Sequence, residues 1–547
     1  MIISEVNQQT CNVISDLNVS AWERELQNDC DKEYILQGVS EGFKVVDHCD
    51  VEIPAELKNH MSATNHKMYE KVNKQIQYEI DHGHYVKISH KPLIVSPLAA
   101  IEKADGSVRI IHDASRPVGN SLNDLVLYLP HQSYQSVQDA IQLIKPGSFC
   151  TKIDLKSAYR SVGLHPSQYP LCGLKWKFEG DLQESYLIDT RLMMGSKMAP
   201  GIFHRLSQAV KRFMERRGYH VIAYLDDFLI VEDTYILCLQ AQHVLIKLLR
   251  NLGFSIAWKK VDGPAQTIVF LGVEIDCKLL TIGLPDDKVC DLKLLLNSFI
   301  HRKRASCRQL QSLAGKLNWA SQVIRGGRSY LRAILDSFGS LQKQNHKARL
   351  SQEFMDDIHW WLNILNVFPG KYLLYKPNCH IVCLDASNSG GGFVYGNDWG
   401  YVNWQIDFPD VSNCHINTKE TVTAVLAARR WASLWTDSQV VFCTDNITAR
   451  SCIQNGTGKT PVIMPWLREL HYYASRFNFD ILSIWIPGKE NVVPDIISRL
   501  DSDYFMCRFF RVLNMYLFVD IFLCICNMYC HMSLETLFFL FNRNYPP

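Results

Sequence analysis

The sequence predicts an α+β protein of several domains: a mixed strand-and-helix region, then a basic helical region, then a second α/β region. Three observations predict it. Between Tyr85 and Ile275, short β-branched and aromatic runs alternate with stretches of helical periodicity. Residues 285–366 read as helical. From His380 to Leu500 strands and helices alternate again. A chain of 547 residues, 47% apolar and 20% charged, has material for two to four domains. Its formal net charge of +2 argues for no partner, so any nucleic-acid surface has to be local.

Residues 1–57 are an N-terminal extension without a readable motif. Residues 58–82 have the periodicity of one amphipathic helix. Ala99–Ile101 and Val108–Ile111 flank the turn Ala104-Asp105-Gly106-Ser107 and predict a hairpin. Phe149–Ile153 reads as a strand ending at Asp154, and Ala199–Arg217 as a helix. Val221–Tyr224 and Phe228–Val231 read as strands joined through Leu225-Asp226-Asp227. A helix over 235–252 and a strand over Ile268–Ile275 complete the region 58–280. The helical region 281–376 is basic: His301–Arg349 holds eleven Lys and Arg against one acid, Asp336. The joint to the region 377–500 is expected from Phe368-Pro369-Gly370 to Lys376-Pro377. There, a strand ends at Asp385, a glycine-rich turn follows, and a return strand closes the pair. Glu420 is expected in the first turn of a helix, Asp445 after another strand, and Asp495 at a helix start.

An Asp-Asp pair in a turn is by itself turn chemistry. Asp226-Asp227 gains meaning from Asp154, because two strands that end in carboxylates can bring them together across a large sequence separation. Phosphoryl transfer needs positioned oxygen ligands for hard cations more than covalent help from protein.

Asp154-Leu155-Lys156-Ser157-Ala158-Tyr159, Tyr224-Leu225-Asp226-Asp227 and Phe270-Leu271-Gly272, in that order, resemble the palm motifs of reverse transcriptases. Ser96-Pro97-Leu98 with Lys103 through Asp113 resembles their fingers hairpin. The resemblance implies a right-hand polymerase of fingers, palm and thumb that extends a DNA primer on an RNA or DNA template. It implies that Asp154 and Asp226 bind two magnesium ions, manganese being the alternative, with Asp227 assisting. It gives Lys103 and Arg109 the incoming triphosphate, and Tyr159 the exclusion of a 2′-hydroxyl. Gly195, within Leu192-Met193-Met194-Gly195, occupies the template-and-nucleotide segment; Met193 and Met194 depart from the family there. Either Lys259 or Lys260 fits the lysine that protonates pyrophosphate. Phe270, Leu271 and Gly272 resemble the turn that grips the primer end. Gln311, Gly315 and Trp319 share one helix face by their spacing, and Gly315–Gln322 resembles the thumb helix that tracks the primer–template.

Asp385, Glu420, Asp445 and Asp495, with Asn417-Thr418-Lys419 and the loop Ile486–Pro494, resemble the ribonuclease H domain of retroelements. This implies a second two-metal site that cleaves RNA in RNA–DNA hybrids. The loop offers Lys489, Glu490 and Asn491 where many members carry a His. The resemblance covers residues 85–500 and leans toward retrotransposons of the DIRS-like or gypsy-like kind; no aspartic protease motif, integrase-like domain or zinc knuckle is evident. The rival reading is an inactive nucleic-acid-binding relic of such an element.

The 18 cysteines form no paired Cys-x-x-Cys motif, and Met1-Ile2-Ile3-Ser4-Glu5 has no leader pattern, so reduced thiols in the cytoplasm or nucleus are expected. Residues 501–547 form an apolar tail, unassigned. Its run Phe509–Cys530 is interrupted by Arg511, Asn514, Asp520 and Asn527. A central Asp costs roughly 2.5–3.5 kcal/mol in a bilayer, which weighs against a membrane tether.

Overall fold

The computed structural model describes residues 2–500 except 10–13, 47–55, 104, 130, 340, 368 and 369. The apolar tail, and with it the membrane question at residues 509–530, lies outside the described residues. Among the described residues no helix is long and apolar enough to cross a membrane. The contacts divide the chain into two compact units. One holds residues up to Leu271 with Ile275–Lys278; the other holds Gly272–Glu274 and the chain from Leu279.

The first unit is built on strands β1 (Tyr85–Ile88), β2 (Leu98–Glu102), β3 (Val108–His112), β4 (Phe149–Asp154), β5 (Gly173–Trp176), β6 (Ser185–Asp189), β7 (Val221–Tyr224), β8 (Asp227–Glu232) and β9 (Asp262–Ala265). The order β7-β8-β4-β9 makes a four-stranded sheet, β1-β6-β5 a second sheet, and β2-β3 the expected hairpin. In β4 and β8 nearly every side chain is buried. The helices Ala199–Glu215 and Tyr235–Asn251 pack on this sheet. Both are amphipathic, so each carries the apolar stripe that such a sheet face requires.

The N-terminal extension is part of this core, although its sequence gave no motif. Trp22 is fully buried between Phe213 and Phe254, with edge-on ring contacts at 5.9 and 6.1 Å. Its indole N–H donates to the Leu252 carbonyl at 3.1 Å. Arg212 forks onto Asp29 at 2.6 and 2.9 Å, and Arg205 forks onto Asp31. These long-range partners leave no local pattern in the sequence.

Several element expectations need correction. The helix of residues 58–82 is two helices, Met61–Thr64 and His66–Asp81. Asn65 breaks it, because its side chain accepts from the Lys67 and Met68 amides at 3.0 and 3.1 Å and caps the second piece. The single strand of Ile268–Ile275 is two, β10 (Thr267–Phe270) and β11 (Val273–Asp276). Leu271 and Gly272, at φ 48° and 80°, turn the chain between them.

In the second unit β12 (Thr281–Gly283), β13 (Arg304–Ser306), β14 (Lys347–Arg349) and β15 (Gly370–Tyr372) accompany the helices Asp286–Ile300, Cys307–Ala320 and Gln352–Val367. β15 pairs with β12, which ties the segment expected to be a joint back to the start of the helical region. The strands β16 (Asn378–Ala386), β17 (Gly390–Tyr395), β18 (Asp398–Asn403), β19 (Ser438–Thr444) and β20 (Asp480–Trp485) form a sheet in the order β18-β17-β16-β19-β20. β16 is antiparallel to β17 and parallel to β19. The triple glycine lies in β17 rather than in the turn. A Cβ on Gly392 would meet the Pro494 carbonyl at 2.6 Å and the Ser498 amide at 2.7 Å, so glycine admits the helix Val492–Ser498 onto the sheet.

Trp22→Ala removes a buried indole and one hydrogen bond. It is expected to lower the stability of the first unit by about 3–5 kcal/mol, read as a lower urea midpoint.

Candidate active site

Asp154 ends β4 and Asp227 begins β8, and the antiparallel register sets the two residues directly opposite each other. The hairpin between β7 and β8 has two loop residues, Leu225 and Asp226, because Tyr224 pairs with Asp227. Leu225 sits in the left-handed region at φ 52°, a costly conformation for a residue with a Cβ. Asp226 is thereby carried at the tip of the hairpin, beside the other two carboxylates.

The electrostatics follow from this crowding. Burial, then the facing Asp154 carboxylate, pushes Asp227 up to about 7. Burial and the Asp154 charge also raise Asp226, while Lys260 and Arg109 act in the opposite direction. Lys260 donates to Asp154 at 2.7 Å, and that bond raises the lysine. Of the two candidate lysines, both of them exposed, Lys260 is therefore the one bonded to a carboxylate.

Lys103 and Arg109 lie exposed on the β2-β3 hairpin. Tyr159 stands on a 3-10 turn, Ala158–Ser161, packed on Phe203 at 5.3 Å; burial and the Asp226 charge raise its phenol to about 12. Gly195, at φ 126°, must be glycine because a Cβ there would fall on the His112 carbonyl oxygen. Its close approach is thus to the protein's own β3 end, a reason the sequence did not display. Gly272 lies against the Trp319 ring, 3.1 Å from where its Cβ would be. Gln311 and Gly315 are exposed on the helix Cys307–Ala320, and a Cβ on Gly315 would meet open space.

The second set gathers more tightly. Asp385, Glu420 and Asp445 each offer an oxygen, all within 4.8 Å of one another; among the described residues this is the one such group. Asp385 lies in β16, Asp445 follows β19, and the parallel pairing of these strands brings them together. Glu420 is the fifth residue of the helix Ile416–Trp431, just past the first turn where it was expected, and Asp495 is the fourth of Val492–Ser498, in the first turn rather than at its start. Burial, with Asp385 and Asp445, pushes Glu420 up to about 9. Burial, with Asp445 and Asp495, pushes Asp385 up to about 7 even though Ser498 donates to it at 2.5 Å. Asp495 is paired with Arg499 at 2.6 Å, a cation that sequence reading passed over. The carboxylates and Arg499 line one open pocket of about 460 Å³.

Residues 101–275 match the family model described as "Reverse transcriptase (RNA-dependent DNA polymerase)". This segment is thus similar to the reverse transcriptase domain of retroviral-type polyproteins. It is similar to the Gag-Pol polyprotein of avian reticuloendotheliosis virus, 26% identical over 184 residues, which are 33% of this chain and 16% of that one. It is also similar to the enzymatic polyprotein of figwort mosaic virus (strain DxS), 22% identical over 381 residues, or 66% of this chain and 52% of that one. The chain therefore spans only part of these relatives. Among solved structures, the foamy viral protease–reverse transcriptase in complex with RNA/DNA hybrid superposes with TM-score 0.51 at 16% identity, covering 86% of this chain and 63% of that chain. The same protein in complex with dsDNA gives 0.51 and 16%, covering 86% and 97%. These likenesses bear on the fold, which agrees with the α+β reverse transcriptase architecture expected.

A raised carboxyl contributes stability that is whole below its unfolded value, near pH 4, and is lost as the pH climbs through its folded value. For the second cluster the loss runs through about 7 for Asp385 and about 9 for Glu420. With divalent ions chelated, thermal stability of this unit should fall steadily between about pH 5 and pH 9. Glu420→Gln should raise the melting temperature near pH 8, by roughly 2–4 °C per kcal/mol of repulsion relieved, and flatten the profile.

Proposed function

We propose that the chain is an RNA-directed DNA polymerase of a retroelement that adds deoxynucleotides to a primer, with a second centre that cleaves RNA in RNA–DNA hybrids. The observation that carries this reading is the facing pair Asp154 and Asp227 beside the Asp226 hairpin, inside the segment that matches the reverse transcriptase family.

Both carboxylate sets suit divalent cations. Their donors are oxygens, as magnesium prefers, and burial with mutual repulsion raises Asp226, Asp227, Asp385 and Glu420, so added positive charge is favoured at each. Asp154, Asp226 and Asp227 would hold ions at the first centre, and Asp385, Glu420, Asp445 and Asp495 at the second. Magnesium bound there supplies charge neutralisation at the phosphoryl oxygens and acidifies the attacking hydroxyl or water. In this reading Lys103 and Arg109 hold the triphosphate, and Tyr159 closes the space a 2′-hydroxyl would need. Lys260 passes a proton to the leaving pyrophosphate from its position on Asp154. The exposed face of Gln311 and Gly315, flanked by the basic text of residues 301–349, follows the primer–template backbone, with salt-dependent affinity.

Primer extension on an RNA template with magnesium tests the first centre. The wild type should incorporate deoxynucleotides, and Asp226→Asn should lower the rate by about 10²–10³-fold or more. Binding of an RNA–DNA hybrid without any incorporation by the wild type would instead support an inactive relic. Asp385→Asn should abolish release of labelled RNA from a hybrid while leaving extension intact; equal loss of both would contradict two separate centres.

A further inference from the structure

Tyr159 is presented by a single 3-10 turn, Ala158–Ser161, entered through Ser157 in the left-handed region at φ 52°. So short a turn has little stability of its own. Backbone bonds from Lys156 to Ser255 and from Asp16 to Ser161 hold its two ends, and the next residue adds side-chain contacts to other elements. The Arg160 guanidinium is largely buried. Its Nε donates to Glu79 at 3.0 Å, and its Nη1 to both oxygens of Asp189 at 3.0 and 2.8 Å. Glu79 belongs to the helix His66–Asp81 and Asp189 ends β6, so one fork joins three elements.

The cluster reaches further. The Asp189 carboxylate lies 3.3 Å from the imidazole of His112, the last residue of β3, and the Tyr85 hydroxyl is 2.9 Å from the same ring nitrogen. The His112 carbonyl is the group that excludes a Cβ from Gly195, and the His112 amide donates to the Met194 carbonyl at 2.9 Å. His84 bonds Glu79 from the far side at 2.7 Å. Burial opposes ionisation of Glu79, yet His84 and Arg160 hold it down at about 2. The Glu79–Arg160 pair is therefore held in its charged form. An apolar replacement of a buried ion network often packs as well or better, so stability alone does not call for this one. The distinctive property of an arginine fork is direction.

We infer that Arg160 is a positioning residue for nucleotide selection: clamped between Glu79 and Asp189, it fixes the Tyr159 turn and, through His112, the Gly195 segment. This rests on the proposed polymerase activity and on Tyr159 as the group that excludes a 2′-hydroxyl.

The test uses the full chain and compares kcat/KM for a deoxynucleotide with that for the ribonucleotide of the same base. Arg160→Lys keeps the charge and loses the fork. The deoxy-over-ribo ratio should fall by about tenfold, with KM for the deoxynucleotide rising more than kcat falls. Arg212→Lys, which disturbs the fork on Asp29 in the same unit, should leave the ratio unchanged. Tyr159→Ala serves as the reference. If it leaves the ratio unchanged, the reading of Tyr159 fails; if it lowers the ratio and a folded Arg160→Lys does not, the inference about Arg160 alone is overturned. Should Arg160→Lys fail to fold, Glu79→Gln removes one anchor and should lower the ratio by about threefold. An unchanged ratio in that variant, or failure of both to fold, would make the cluster a folding determinant only and overturn the inference.

Discussion

Two carboxylates that should repel are held opposite each other in one sheet register, and much of the first unit serves to keep them there. Directly facing like charges destabilise a strand pair, so Asp154 and Asp227 need a rigid frame. β4 and β8 supply it through the buried residues Ile153, Phe228, Leu229 and Ile230. The left-handed Leu225 keeps the hairpin at two residues and Asp226 beside the pair. Lys260 offsets part of the charge, and burial beside Asp154 favours the protonated form of Asp227. The N-terminal helices complete the frame, since Trp22 and the Asp29–Arg212 fork brace the helix under the sheet.

The second unit reaches the same result with different parts. Parallel strands β16 and β19 deliver Asp385 and Asp445, the helix Ile416–Trp431 brings Glu420 across the sheet, and the glycines of β17 let the helix of Asp495 approach. The acidic centre is tighter here, and Glu420 is accordingly the more strongly perturbed group. Arg499 stands at the rim, paired with Asp495. In both units, burial converts a set of ordinary acids into a site that favours cations.

Legibility in the sequence followed the range of the interactions. Strands ending in Asp, a hairpin through Leu225-Asp226-Asp227 and the order of the seven carboxylates were readable because each is a local pattern on a regular element; that Asp227 already opens β8 was not. The break at Asn65 was readable in principle, as Asn before a helical run is a cap signal. The turn at Leu271-Gly272 was legible only through the resemblance to a primer-gripping turn, because the apolar alternation runs through it. The N-terminal extension was opaque because Trp22, Asp29 and Asp31 find partners roughly 170–230 residues away. Gly195 was read as a nucleotide contact; the neighbour that requires glycine there is the His112 carbonyl, which no local pattern reveals. Arg160 directly follows the recognised motif, yet its partners Glu79 and Asp189 lie on other elements, and no spacing rule joins them.

The central claim is that crowded, partly protonated carboxylates make both centres cation sites. Calorimetric titration of the chelated protein with magnesium near pH 7, repeated in buffers of different ionisation enthalpy, measures the protons displaced. Displacement of protons on binding, reduced in Asp227→Asn and again in Glu420→Gln, is the predicted result. Magnesium binding with no proton release, or no binding at all in the wild type, would contradict the account.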